Sequence, residues 1–121
     1  MPDFVLKIEE NQDVFKKILE LMDKDKISEI VFIKAAGKLR DPEVVTHGKQ
    51  GSVSTNHMKG DYEVNAISGS ISRKKGLTYH QVNVAVTQTG TNAKIGHLKS
   101  AKAGKDFELT LKKIDLSKMI M

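Results

Sequence analysis

Hydrophobic and polar residues change their period several times along the chain, and each change marks an element. Phe4, Leu6 and Ile8 alternate with Val5 and Lys7, the period of two of a short opening strand. Val14, Phe15, Ile18, Leu19, Leu21 and Met22 then fall at helical spacing, which predicts one amphipathic helix with a single buried stripe. Asn11 or Asp13 can cap its first N–H groups. Glu9 and Glu10 precede the helix while Lys24 and Lys26 follow it, so the charges complement its dipole.

Residues Ile27 to Ile33 form an apolar, β-branched run too short for a second helix, and it ends at Ala35-Ala36-Gly37. That run reads as a buried strand. From Gly37 to Gly60 the pattern is broken by Pro42, Gly48 and Gly51, leaving one or two edge strands, around Val44-Val45 and from Val53 to Met58. The clearest strands are Tyr62 to Ser72 and Tyr79 to Thr87. Arg73-Lys74-Lys75-Gly76 separates them as a hairpin turn, so they should pair antiparallel. A break at Thr89-Gly90-Thr91-Asn92 leads into Lys94 to Lys99. Phe107, Leu109 and Leu111 then alternate with Glu108, Thr110 and Lys112 in a last strand. The tail Leu116 to Met121 reads as a frayed end or an interface arm. One helix against six or seven mostly antiparallel strands predicts an α+β fold, with residues 1–121 as one domain.

Composition narrows the function. At 121 residues and 39% hydrophobic, the chain can close a core without staples. It has no Cys, which removes disulfides and thiolate metal sites together, so any metal must sit on His and carboxylate. The start carries no basic segment followed by a long apolar one, and no run approaches the roughly 20 apolar residues of a membrane span. The expectation is a soluble cytoplasmic protein. A net charge of +5 favours polyanions as partners, against the plainer reading of a solubilising surface.

Among the candidate residues, His80 shares a strand face with Val82, Val84 and Val86. A reversal near Gln88 to Gly90 would bring His97 opposite His80 or within about two residues of it. Glu63, one strand away, is a third ligand or an orienting acceptor for a divalent metal such as Zn. The competing reading is that His80 and His97 satisfy buried hydrogen bonds. His47 and His57 read as solvated loop residues. Ser68, Ser70 and Ser72 lack a nucleophile elbow, and the glycines lack phosphate-loop spacing, so acyl transfer and nucleotide chemistry find no support. The cations Arg73, Lys74, Lys75, Lys99, Lys102 and Lys105 fall on turns or strand ends, where phosphate contact is easy. No aromatics interleave with them, which argues against stacking of single-stranded bases and leaves non-specific duplex contact open.

Taken in order, these segments resemble the PPC domain, the domain conserved between plants and prokaryotes. The likeness rests on the opening strand, the helix, Ala36-Gly37, Gly60-Asp61-Tyr62-Glu63-Val64, Ser68-Gly69-Ser70-Ile71 and Gly96-His97-Leu98. It covers nearly the whole chain. The resemblance implies a compact α+β domain, similar in fold to acetolactate decarboxylase, that assembles as a homotrimer and whose plant members act in DNA binding and transcriptional regulation. It also implies a His-x-His strand joined by the histidine of the Gly-His-Leu segment. Here Val82 stands in place of the second His, and Ile95 in place of a Gly, so the set is one imidazole short. The expectation is a non-catalytic, DNA-associated or regulatory module. The alternative is a protein that binds metal or a small molecule, as an enzyme would, through a His pocket at a subunit interface.

Overall fold

The computed structural model describes residues 3–90 and 92–114, so the tail expected to fray or dock lies outside the described residues. Its strands are β1 (Asp3–Lys7), β2 (Glu29–Ala36), β3 (Lys38–His47), β4 (Val53–His57), β5 (Asp61–Lys74), β6 (Leu77–Thr87), β7 (Lys94–Ala103) and β8 (Glu108–Ile114). The helix α1 spans Val14–Asp25. All pairings between these strands are antiparallel, in the order β1-β8-β2-β5-β6-β7-β3-β4. β3 also bonds to β5 through Lys38–Arg40, which closes β5, β6, β7 and β3 into a ring. The fold is α+β, with one helix and a large antiparallel sheet.

The helix forms where its period predicts. Asp13, in extended conformation, accepts the Lys16 N–H at 3.0 Å, and Lys26 ends the helix in the left-handed region. Val14, Ile18 and Met22 are buried, and they share one core with Ile30, Ile71, Val82, Leu109 and Leu111. Burying that continuous apolar cluster is the main favourable term in the fold.

Four bulges interrupt the ladders; one leaves Ile33 of β2 without a partner on β8, and the other three explain where alternation in the sequence breaks. In β5, Val64 pairs with Val86 and Ala66 with Ala85, so Asn65 is extra and the inward face passes from Val64 to Ile67 and Ile71. In β3, Asp41 and Pro42 together oppose Ala101, and the proline's missing donor falls where the ladder is already interrupted. Lys99 is the extra residue on β7, which lets both Leu98 and Ala101 point inward. The region from Gly37 to Gly60 is therefore more regular than expected, and β3 is not an edge strand, because β5, β7 and β4 all pair with it. β4 is an edge, as anticipated.

The β5–β6 hairpin is tighter than the four-residue turn predicted. Lys74 and Leu77 still pair, and Lys75 and Gly76 alone turn the chain, with φ of 52° and 79°. Among the described residues, no helix is long and apolar enough to cross a membrane.

Candidate functional site

Two histidines meet on neighbouring strands. His80 opposes Ile71 of β5, and His97 opposes Asn83 of β6 and Val45 of β3. His97 is thus registered three residues from His80, one more than the hairpin argument allowed. The β6–β7 ladder ends at the Asn83–His97 pair, and there the two rings stack with centroids 5.6 Å apart. His80 also packs against Phe15 of α1, with the ring centroids 5.0 Å apart and the planes tilted by 46°. Partial burial holds the His97 pKa below its ordinary value, with further lowering from His80 and His47. An imidazole pair of this kind disfavours a second proton.

Glu63 stands elsewhere. It opposes Lys38 and Thr87, and Thr87 is seven residues along β6 from His80, about 23 Å at strand rise. It lines a separate cleft of about 350 Å³ with Asp61, Lys38, Thr87 and Gln88. Val82 is wholly buried opposite Gly69. Among the described residues, no group of three His, Cys, Asp or Glu is placed to hold a metal ion.

His47 and His57 belong to strands rather than loops. His57, at the end of β4, lies 2.9 Å through Nδ1 from the Glu43 carboxylate, whose other oxygen accepts the Ser100 hydroxyl at 3.1 Å. Sequence gives no sign of this bridge, because the three residues meet only through the pairing of β3 with β4 and β7.

Gly60, Tyr62 and Gly96 make backbone and packing contacts. Gly60 donates its N–H to Asp41 Oδ1 at 2.7 Å and accepts the Asp41 N–H, which fastens the loop before β5. Half-buried Tyr62 packs against the core. A side chain at Gly96 would strike the Val45 carbonyl oxygen and come within 2.9 Å of Val44 Cγ1, so glycine there lets β3 and β7 close. Beside Tyr62 is a clamp that sequence reading missed. Arg40 binds both oxygens of Asp61, at 2.6 and 3.0 Å, and reaches Asn11 at 2.9 Å and Glu10 at 3.3 Å. Hydrogen bonding to the guanidinium holds the Asp61 carboxyl below its ordinary pKa, and the same partner raises that of Arg40.

The six candidate cations separate into two groups. Arg73, Lys74 and Lys75 sit at the tip of the β5–β6 hairpin. Lys99 is the bulge residue of β7, Lys102 opposes Arg40, and Lys105 follows β7 near the other end of β5. Arg73 is engaged with Asp23 of α1, and its backbone N–H reaches the Ser28 carbonyl at 2.9 Å. The hairpin tip therefore lies against the chain leaving α1, which brings Lys24 and Lys26 to the same end. Lys24, Lys26, Lys74 and Lys75 make no ion pair with other described residues.

Comparison with known proteins gives a consistent family. The Plants and Prokaryotes Conserved (PCC) domain model matches residues 1–115. No curated protein matches by sequence. Among solved structures, a plant- and prokaryote-conserved protein of Pyrococcus horikoshii is similar at a TM-score of 0.79 and 18% identity, covering 95% of this chain and 80% of that one. A metal-containing protein of Archaeoglobus fulgidus is similar at 0.74 and 19%, covering 93% and 79%. A protein of Ralstonia eutropha, provisionally designated DNA-binding, is similar at 0.76 and 15%, covering 91% and 76%.

Proposed function

Because this chain belongs to the Plants and Prokaryotes Conserved domain family, we propose that it is a non-catalytic, homotrimeric module that associates with nucleic acid through its phosphates. The observation that carries this reading is the group of four cations, Lys24, Lys26, Lys74 and Lys75, gathered at one end of the sheet with no ion pair to other described residues. Such a group neutralises phosphate and releases counterions whatever the base sequence. Provisional designations of DNA binding, carried by the Ralstonia eutropha protein and another from Bacteroides thetaiotaomicron, point the same way.

Assembly is supported at the opposite end. Ile95 is 68% exposed and Val53 58% exposed, on the outer face of β7 and β4 either side of β3. A closed symmetric oligomer would hide them. Sedimentation of the intact protein tests this, and a monomer at micromolar concentration would remove it.

Nucleic-acid association is tested by titrating a short labelled duplex at several salt concentrations. Two to four phosphate contacts give a log–log slope of about −2 to −4. Tight binding to one sequence that survives raised salt would show a base-reading element and contradict the proposal.

A second reading rests on the stacked pair of His80 and His97, which offers two imidazoles to a metal that a neighbouring subunit would have to complete. Elemental analysis of the purified oligomer separates the two readings. One tightly held metal per subunit would favour the His pocket.

A further inference from the structure

We propose that the hairpin end of the sheet binds single-stranded nucleic acid, with Tyr79 as the platform on which a base stacks. The inference rests on the nucleic-acid reading above and narrows it to a strand whose bases are unpaired.

The register of β5 and β6 builds the platform. Ser72 opposes Tyr79, and Lys74 opposes Leu77. Residues directly opposite in an antiparallel pair share a face, as do residues two apart along a strand. Ser72, Lys74, Leu77 and Tyr79 therefore share the face opposite to Ile71 and His80. The helix covers the Ile71 side, where Ile18, Met22 and Ile71 belong to one core. Tyr79 is on the open side and is 51% exposed, beside Leu77 at 59%.

A half-exposed tyrosine beside a leucine is a poor surface for water alone. Flanked by Lys74 and Lys75, which make no ion pair with other described residues, it has the two parts a single strand requires: an apolar ring for a base and cations for the adjoining phosphates. Along the same face Gln81 and Ser70 form the next pair, offering polar side chains to base edges or sugar. Among the described carboxylates that the register puts on this face, Asp3 is on β1 and Glu63 is at the far end of β5, opposite Thr87, while Glu29 stands opposite Ser72 on the other side of β5. Glu29 lies two strands from Tyr79, about 10 Å away. In a duplex the bases are stacked already, and the ring would have nothing to receive.

The test uses the full chain and three probes: labelled oligothymidine, a duplex of equal length, and phosphatidylserine vesicles. Oligothymidine should bind more tightly than the duplex. Tyr79→Ala should weaken oligothymidine binding about 5- to 150-fold, the range that base–aromatic stacking supplies, while leaving duplex binding unchanged. Tyr79→Phe should bind as the parent does. The double variant Lys74→Ala, Lys75→Ala should weaken both nucleic acids.

A second readout is independent of any change at Tyr79. The chain has two tyrosines and no tryptophan, so in Tyr62→Phe all aromatic emission above that of phenylalanine comes from Tyr79. Oligothymidine should quench it and the duplex should not. If the lysine variant weakens binding but Tyr79→Ala does not, and emission is unquenched, stacking is refuted while phosphate association stands. If neither nucleic acid binds, both readings fall. Binding to the vesicles alone would overturn both in favour of a membrane surface.

Discussion

Replacing Gly69 by alanine should be among the most damaging single-methyl changes in the molecule. Gly69 lies in the middle of β5 opposite Val82, with φ of +119°. A methyl carbon there would overlap the Gln81 carbonyl oxygen and lie 3.0 Å from Val82 Cα. Both are backbone atoms of a strand paired along its length, so neither can turn aside as a side-chain tip would. Backbone strain for a non-glycine residue costs about 1–3 kcal/mol. Overpacking adds about 1–3 kcal/mol, giving a central value of about 4 kcal/mol. Against a total stability of about 5–15 kcal/mol, that is a large share. For a chain of this size it lowers Tm by about 12–24 °C. Gly76→Ala is the control, since Gly76 also has positive φ, at 79°, but a methyl there meets nothing within 4 Å. It should cost only the strain, about 1–3 kcal/mol. Thermal and urea unfolding of both variants, followed by far-UV circular dichroism, separates sterics from conformation. If the two variants lose equal stability, close approach of β5 and β6 is not what requires glycine at position 69.

Further outcomes follow from the same structure. Asp61 has its pKa lowered by Arg40, so its stabilisation is complete above the ordinary carboxylate pKa of 3.8 and drains away as pH falls through the lower folded value. Urea titrations between neutral pH and strongly acid pH should show that loss in the parent and a reduced loss in Arg40→Ala. The lowered pKa of His97 acts in a different window: its contribution is complete above 6.5 and declines as pH falls from there toward the folded value. His97→Gln should flatten the slope of stability just below pH 6.5, and ring-proton NMR titration should place the His97 midpoint below 6.5. Asp13→Ala removes the acceptor for the Lys16 N–H and should cost about 0.5–2 kcal/mol in urea unfolding.

The helix and the strands β1, β2, β5, β6 and β8 were legible because their patterns are long or uninterrupted. Asp13 as cap and Leu109 and Leu111 as core needed only period and residue type. β3 was not legible as an interior strand. Pro42 normally argues against a central strand, and the register tolerates it only because Asp41 and Pro42 form a bulge opposite Ala101. A bulge depends on the partner strand, which is far away in sequence. The same limit governs β5, where Asn65 switches the inward face and no local pattern announces the switch. Glycine was the most informative punctuation, since Gly69 and Gly96 mark places where two backbones approach too closely for a side chain.

The histidine pair was legible from alternation and one assumed reversal, although the real register differs by a residue because the loop after β6 sets it. The cation sites were legible as residues but not as a surface. Read along the chain, no aromatic falls among the basic clusters, and that argues against stacking of single-stranded bases. Folding changes the premise, because the two-residue turn at Lys75-Gly76 returns the chain so that Tyr79 and Lys74 share one face. An aromatic four residues past a lysine run is ordinary in sequence, yet across a hairpin it lies one pleat from the same lysines. Arg73 shows the converse: adjacent to Lys74 in sequence, it faces α1 and is occupied by Asp23. The strand period divides a contiguous basic run between two faces. A charge cluster in a β protein is therefore defined by register and face, and its chemistry is set by what the paired strand places beside it.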